Sequence, residues 1–226
     1  NDIYDGTETS INNVFTNINL GTSAIKNLSR ILSIKSFDNN VVATSELTTR
    51  VTEGTTTIYV TVEVSSSILL LPEVPMTGRL DNPRVGYFTN PLTNFSDGQQ
   101  RVNKKQFITR WRLEPKPEDR EAYLRGELVE PHKPIVFYIE NSTPYRWRKY
   151  IKQGIEDWQV AFERAGFKNA IIGKEAPTDD PEWSLEDARH SAIVYKPSDI
   201  PNVSGPHVHD PRSGEILETH INWYHN

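Results

Sequence analysis

The apolar positions along the chain change period near its middle. From Thr57 to Val64 they alternate, with Ile58, Val60, Val62 and Val64 on one face and Tyr59, Thr61 and Glu63 on the other. A period of two places successive side chains on opposite faces of a strand, so this stretch predicts a half-buried β-strand. Glu53-Gly54 before it is a turn signal, and Val41-Val42-Ala43 offers a hairpin partner. Between residues 23 and 35, Ile25, Leu28, Ile31 and Leu32 follow helical spacing, against a Ser and Asn content that disfavours helix. The first 80 or so residues, rich in Thr, Ser, Asn, Val and Ile, therefore read as β-rich with one helix.

Residues 72–106 are punctuated by Pro72, Pro75, Pro83 and Pro91 and by Ser96-Asp97-Gly98. This predicts a connector with little regular structure, in which Arg84-Val85-Gly86-Tyr87-Phe88 is a short extended candidate. Gln106 to Leu113 alternates again, with Phe107, Thr109, Trp111 and Leu113 on one face, until Pro115 and Pro117 end the strand. Glu118 to Leu128 is charged and reads as a solvated helical turn or loop.

From Pro134 the period lengthens. Ile135-Val136-Phe137-Tyr138-Ile139 is a short apolar strand, and Thr143 can cap a helix opening at Pro144. Ile151, Ile155, Trp158, Phe162 and Ala165 then form one apolar stripe, which predicts a continuous helix over 144–165 with Trp158 in the core. Gly166 closes it, and Phe167 can pack back in a Schellman-type cap. Asn169–Gly173 and Ser191–Tyr195 read as further strands, separated by an acidic, proline-containing loop. A strand–helix–strand unit of this length favours parallel pairing. Residues 205–224 suggest an antiparallel excursion around the Asp210-Pro211-Arg212-Ser213-Gly214 turn.

Composition narrows the function classes. The 226 residues carry 25 Lys plus Arg against 30 Asp plus Glu, a net charge of −5. That balance argues against a nucleic-acid binder. There is no cysteine, which removes disulfides, thiol nucleophiles and thiolate-bound zinc. The longest purely apolar run is Ile68-Leu69-Leu70-Leu71, far short of the roughly 20 residues a membrane helix needs. The chain opens on Asn1 and closes after a strand-like run, Ile221–Tyr224, so it is expected to be a piece of a longer protein.

The six histidines, His132, His190, His207, His209, His220 and His225, form no His-Glu-x-x-His helix. His207 and His209 are two apart on an expected strand and share a face, with Asp210 adjacent; such a pair can hold half a metal site, or simply be the polar face of an edge strand. His220 is a candidate third ligand. Glu156-Asp157 and Asp179-Asp180 read as solvated surface. No Gly-x-Ser-x-Gly elbow, phosphate loop or dinucleotide fingerprint occurs. Arg146-Trp147-Arg148-Lys149 is basic and aromatic but isolated, so it reads as packing at a helix start.

Several stretches together resemble a family of large bacterial zinc-dependent metalloproteases. They are Arg84–Phe88, Ile108–Glu114, Lys133–Ile139, Gly154–Gln159, Ala161–Phe167 and Asp210–Ile216. In that family a β-rich N-terminal domain of unknown function precedes a metzincin-like catalytic domain. The resemblance implies an α+β fold: a β-rich part, then a metzincin-like upper subdomain with a mixed, mostly parallel sheet, one long helix and an antiparallel edge strand. The implied division is a partial β-rich domain over 1–82, a connector with strands over 83–130, and an incomplete protease subdomain over 131–226.

By the same resemblance the parent protein would hydrolyse peptide bonds of a peptide or protein substrate through zinc-activated water. The zinc-binding motif would follow Asn226, and this chain alone would be inactive and hold no zinc firmly. Gly205, Pro206, His207, Val208 and His209 would form the edge strand that an extended substrate joins. The parent would be exported: periplasmic, outer-membrane associated or extracellular. The competing reading is a non-catalytic binding or structural module of an exported bacterial protein. A carbohydrate-binding β-domain is a third, resting on the Thr, Asn and Trp content of the chain.

Overall fold

The computed structural model describes residues 24–53, 55–95, 97–98, 100–199 and 202–225. It is β-rich with few helices, an α+β arrangement. The chain divides into two compact units, residues 1–70 and 71–226.

The first unit contains one antiparallel sheet of three strands in the order β1 (Arg30–Ser36), β2 (Asn40–Glu53) and β3 (Thr56–Leu69). The hairpin foreseen around Glu53-Gly54 is present, pairing Val41 with Ile68 and Thr52 with Thr57. Cross-strand threonines tie it: Thr48 and Thr61 hydroxyls lie 2.9 Å apart. Along β3 the alternation holds, with Val60, Val62 and Val64 half-buried and Thr61 and Glu63 exposed.

The helix expected over 23–35 is not there. Ser23 lies outside the described residues, Lys26–Leu28 makes a single 3-10 turn, and the rest is β1. The helical spacing of Ile25, Leu28, Ile31 and Leu32 was outweighed by pairing: Ile34 aligns with Ala43 and Arg30 with Glu46, whose side chains form an ion pair at 2.8 Å. β-branched isoleucines sit readily in a pleated sheet. The turn is pinned to β2 as well, since the Ile25 N–H donates to the Thr48 carbonyl and the Thr48 hydroxyl donates to the Leu28 carbonyl.

In the second unit the proline-rich stretch is more regular than its sequence suggests. β4 (Thr89–Asn94) and β5 (Asn103–Ile108) form an antiparallel ribbon in which Pro91 faces Gln106. Leu80 bridges to Phe107 on the far side of β5, so β4 is the edge of this ribbon, which is where a residue without an N–H fits. Arg84–Phe88, expected to be extended, contains a turn: the Val85 N–H donates to Asn82 O, and Gly86 takes φ +72°. The strand expected over 106–113 is shorter, because β5 stops at Ile108. Arg110 then bridges in parallel to Glu215, and Trp111 and Leu113 turn onto the core. The charged segment after Pro117 forms the short helix α1 (Arg120–Leu124).

The remaining elements build one sheet with helices on one side. In chain order they are β6 (Ile135–Ile139), α2 (Tyr145–Glu156), α3 (Gln159–Arg164), β7 (Ile171–Glu175), β8 (Ser191–Pro197), β9 (Asn202–Ser204), β10 (His207–His209) and β11 (Ile216–His225). The sheet runs β10-β11-β8-β6-β7, with β9 also on β11. β7, β6, β8 and β11 are mutually parallel, and β9 and β10 run antiparallel to β11.

Ile135, Phe137 and Ile139 point to one face and form the core with Ile155 of α2, while Ile151, Phe162, Ile193 and Ile221 pack around them. Gly173 allows the approach, since a Cβ there would stand 3.3 Å from Ile155 Cδ1 and 3.1 Å from Lys152 Cγ.

The expected continuous helix is two helices, broken at Asp157 and Trp158. Trp158 is 64% exposed, not core, and Ala165 is exposed too. At the break the Trp158 N–H bonds back three residues, to Ile155 O at 3.3 Å, and Gln159 ties the start of the second helix to the chain before β7. Its amide oxygen accepts from the Ala170 N–H at 2.9 Å, and its Nε2 donates to the Phe167 carbonyl at 3.0 Å. Thr143 does not cap the first helix. Pro144 holds the cap position, with no side-chain hydrogen bond. The Schellman cap is present: Gly166 has φ +94°, Phe167 N–H reaches Phe162 O at 2.9 Å, and Phe167 is buried. Arg148 is a brace, donating to Thr143 O and Asn141 O and pairing with Glu175 at 2.8 Å.

Candidate functional site: an antiparallel sheet edge

The residues singled out for substrate contact, Gly205 to His209, lie along one edge of the helix-backed sheet. Residues 202–209 run beside β11 in two short pieces. Asn202–Ser204 pair with Asn222–Tyr224, and His207–His209 with residues 216–219. Gly205-Pro206 interrupts the run, and the Pro206 carbonyl accepts a 2.6 Å hydrogen bond from the Thr219 hydroxyl. β10 ends the strand order, so among the described residues its backbone has a sheet neighbour on one side. An edge of this kind presents unpaired N–H and C=O groups, and short length and a proline are common ways of limiting what joins it.

The turn after β10 fixes the edge. Asp210 is fully buried, and Arg212 clasps it: Nη2 reaches Oδ2 at 2.7 Å and Nε reaches Oδ1 at 3.0 Å. The Arg212 N–H also donates to Oδ1 at 2.8 Å, and a further Nη2 bond reaches the Pro72 carbonyl. Gly214 takes φ +75°, with the position of a Cβ only 2.4 Å from the Ile108 carbonyl oxygen. That closeness lets Gly214 O accept from Arg110 N–H and Arg110 O accept from Ile216 N–H. The motif Asp210–Ile216 is therefore a tightly specified turn.

His207 and His209 share a face, their ring centroids 5.3 Å apart. The register skips Leu217, so His209 faces Ile216 across a bulge. Burial lowers the pKa of both rings, and the neighbouring His207 lowers that of His209 further, against the pull of Asp210. His209 Nδ1 is buried with no hydrogen-bond partner among the described residues.

His220 does not join them. It is the next residue after Thr219, which opposes His207, and so points to the other face of β11. There Nε2 meets Glu218 Oε1 at 3.1 Å and the His190 carbonyl at 3.3 Å. The Glu218 hydrogen bond raises its pKa, and desolvation works against it. Asp210 is committed to Arg212. Among the described residues no group of three or more His, Asp or Glu is placed to hold a metal ion. The described residues thus do not fit a catalytic zinc.

One feature of this unit escaped the sequence reading. Trp183, from the acidic loop, stacks on His190 with centroids 5.2 Å apart, and Tyr138 meets both rings edge-on. A tryptophan inside a run of acids was the available signal. Among the described residues no helix is long and apolar enough to cross a membrane.

The family model for a domain of unknown function (DUF5117) matches residues 1–116, just over half of the 226 residues. No curated protein and no solved structure matches the chain. The matched stretch takes in β1 to β5 and ends at Lys116, before α1 and the helix-backed sheet. The chain belongs to the family defined by this domain of unknown function.

Proposed function

We propose that the chain is part of a zinc-dependent metalloendopeptidase, in which residues 131–226 supply a sheet scaffold and an edge strand that holds an extended peptide substrate. The observation that carries the proposal is the antiparallel edge at β10. It closes a helix-backed sheet whose other strands, β9 apart, are parallel, and among the described residues it has one side unpaired. An extended peptide adds to such an edge through main-chain hydrogen bonds, with affinity that depends little on its side chains. The order strand, helix, strand, strand, antiparallel edge, strand also agrees with the resemblance carried by Lys133–Ile139, Ala161–Phe167 and Asp210–Ile216.

No His-Glu-x-x-His occurs in the 226 residues, so the zinc ligands of that peptidase would come from outside them. The gene tests this directly: the reading expects that motif within roughly 100 codons after Asn226, and its absence there sinks it. The 226-residue chain alone is expected not to degrade casein with added zinc. Chelator-sensitive cleavage by the pure chain would contradict the assignment of a scaffold role.

A further inference from the structure

On the face of the sheet opposite α2 and α3, a cleft of about 370 Å³ is lined by Tyr138, Asp180, Glu182, Trp183, Arg189 and His190. We propose that this cleft binds an alkylammonium or guanidinium cation, such as the side chain of a lysine or arginine. The proposal goes beyond the peptidase reading and stands independently of it.

The wall of the cleft is aromatic and held in place. Trp183 and His190 are stacked with their planes nearly parallel, at 17°, and Tyr138 lies 5.6 Å from one ring and 5.2 Å from the other, centroid to centroid. The rings are packed together, so a cation would lie against them rather than between them. His190 is oriented by a 2.8 Å contact from Nδ1 to the Ser184 carbonyl, and Trp183 by its backbone N–H to Asp180 O. Tyrosine and tryptophan faces attract cations through the ring quadrupole, most strongly for tryptophan.

Charge sets the sign of the ligand. Residues 175–187 include six acids, Glu175, Asp179, Asp180, Glu182, Glu186 and Asp187, and no Lys or Arg. Arg189 is the cation in the lining, and its charge is matched by Asp187, which is 1% exposed and takes the guanidinium Nε at 2.9 and 3.0 Å. Burial pushes the Asp187 pKa up, but the hydrogen bonds and charge of Arg189 together outweigh it and hold the carboxyl below its ordinary value. With that pair neutral, Asp180 and Glu182 leave the cleft negative. Both are exposed; Asp180 Oδ1 accepts from the Glu182 N–H at 3.0 Å and so stays fixed in the turn. An anion would meet two carboxylates there. A neutral sugar would find the aromatic wall but gain nothing from the charge.

The test is a titration of the 15N-labelled chain, following the indole N–H of Trp183, assigned by its disappearance in Trp183→Phe. The probe is Nα-acetyl-lysine N-methylamide, with the norleucine analogue and methyl glucoside as neutral controls. The lysine probe should shift the Trp183 signal saturably and weaken as salt is added. The double variant Asp180→Asn/Glu182→Gln should bind it about three- to fivefold more weakly with an unchanged spectrum elsewhere. An equal response to norleucine would make the cleft an apolar one. Saturation by the glucoside alone would make it a sugar site. Either result, or no shift with lysine, overturns the proposal.

Discussion

The two β-structures of this chain are built on different principles. The β1–β3 sheet is a meander of neighbouring strands, and among the described residues its apolar side chains are largely open: Ile31, Ile34, Ile58 and Ile68 are each more than half exposed. The β6–β11 sheet joins distant segments in parallel, and Ile139 at its centre is fully buried. Local antiparallel pairing needs little tertiary help to set its register, because a turn sets it. Parallel pairing needs a crossover element, and here α2 and α3 supply both the connection and the apolar cover.

The largest effect that separates the two is a pair of truncations. Ile139→Ala should destabilise by about 3–4 kcal/mol, through lost burial and the cavity left behind. Ile34→Ala, at 65% exposure, should change stability by less than about 1 kcal/mol. Denaturant melts measure both, and equal values would erase the distinction.

Gly214→Ala comes next, at about 2–3 kcal/mol, because the new methyl meets the Ile108 carbonyl and the backbone holds positive φ. Wild-type stability for this variant would mean that the turn before β11 is not held as described. Gln159→Ala should remove about 1–2 kcal/mol by stranding the Ala170 N–H. Fast hydrogen exchange at that amide in the variant would report the same loss locally.

How much of this was legible in sequence follows from where the determinants lie. The β2–β3 hairpin, β6, β8, the Gly166 cap and the antiparallel excursion after Gly205 were readable, since each rests on periodicity or a turn residue close in sequence. β1 was missed because helical spacing in Ile25–Leu32 competes with a pairing partner sixteen residues away at Glu46. β4 was hidden by Pro91, which an edge strand tolerates. Trp158 continues the apolar stripe on paper, but it stands at the break between α2 and α3, where the helical period is interrupted. At the site, the shared face of His207 and His209 was readable. The opposite facing of His220 was not, because it depends on the register of β10 against β11. The Trp183–His190–Tyr138 cluster joins a loop, a strand end and a neighbouring strand, and no local pattern announces it.

The pH dependence sharpens the contrast between the two faces of β11. The pKa of His220 is raised in the fold, so its contribution is complete below the unfolded value of about 6.5 and lost as pH rises through the folded one. Those of His207 and His209 are lowered, so their contribution is present above about 6.5 and lost as pH falls through the folded values. Thermal melts of His220→Gln against wild type should therefore differ most at mildly acidic pH and converge as the solution becomes alkaline. A gap that widens with rising pH would reverse the assignment. The smallest effect is expected at Trp158→Ala, below about 1 kcal/mol, since its ring is on the surface; a larger loss in a denaturant melt would return it to the core.

The central functional claim concerns which sheet edge takes an extended chain. β10 and β7 are the two ends of the same strand order, and Val208 (42% exposed) and Lys174 (exposed) report on them in turn. In the full-length protein, a photo-crosslinking phenylalanine analogue at position 208 should capture a bound peptide substrate, and the same analogue at 174 should not. Capture at 174 with none at 208 would contradict the account.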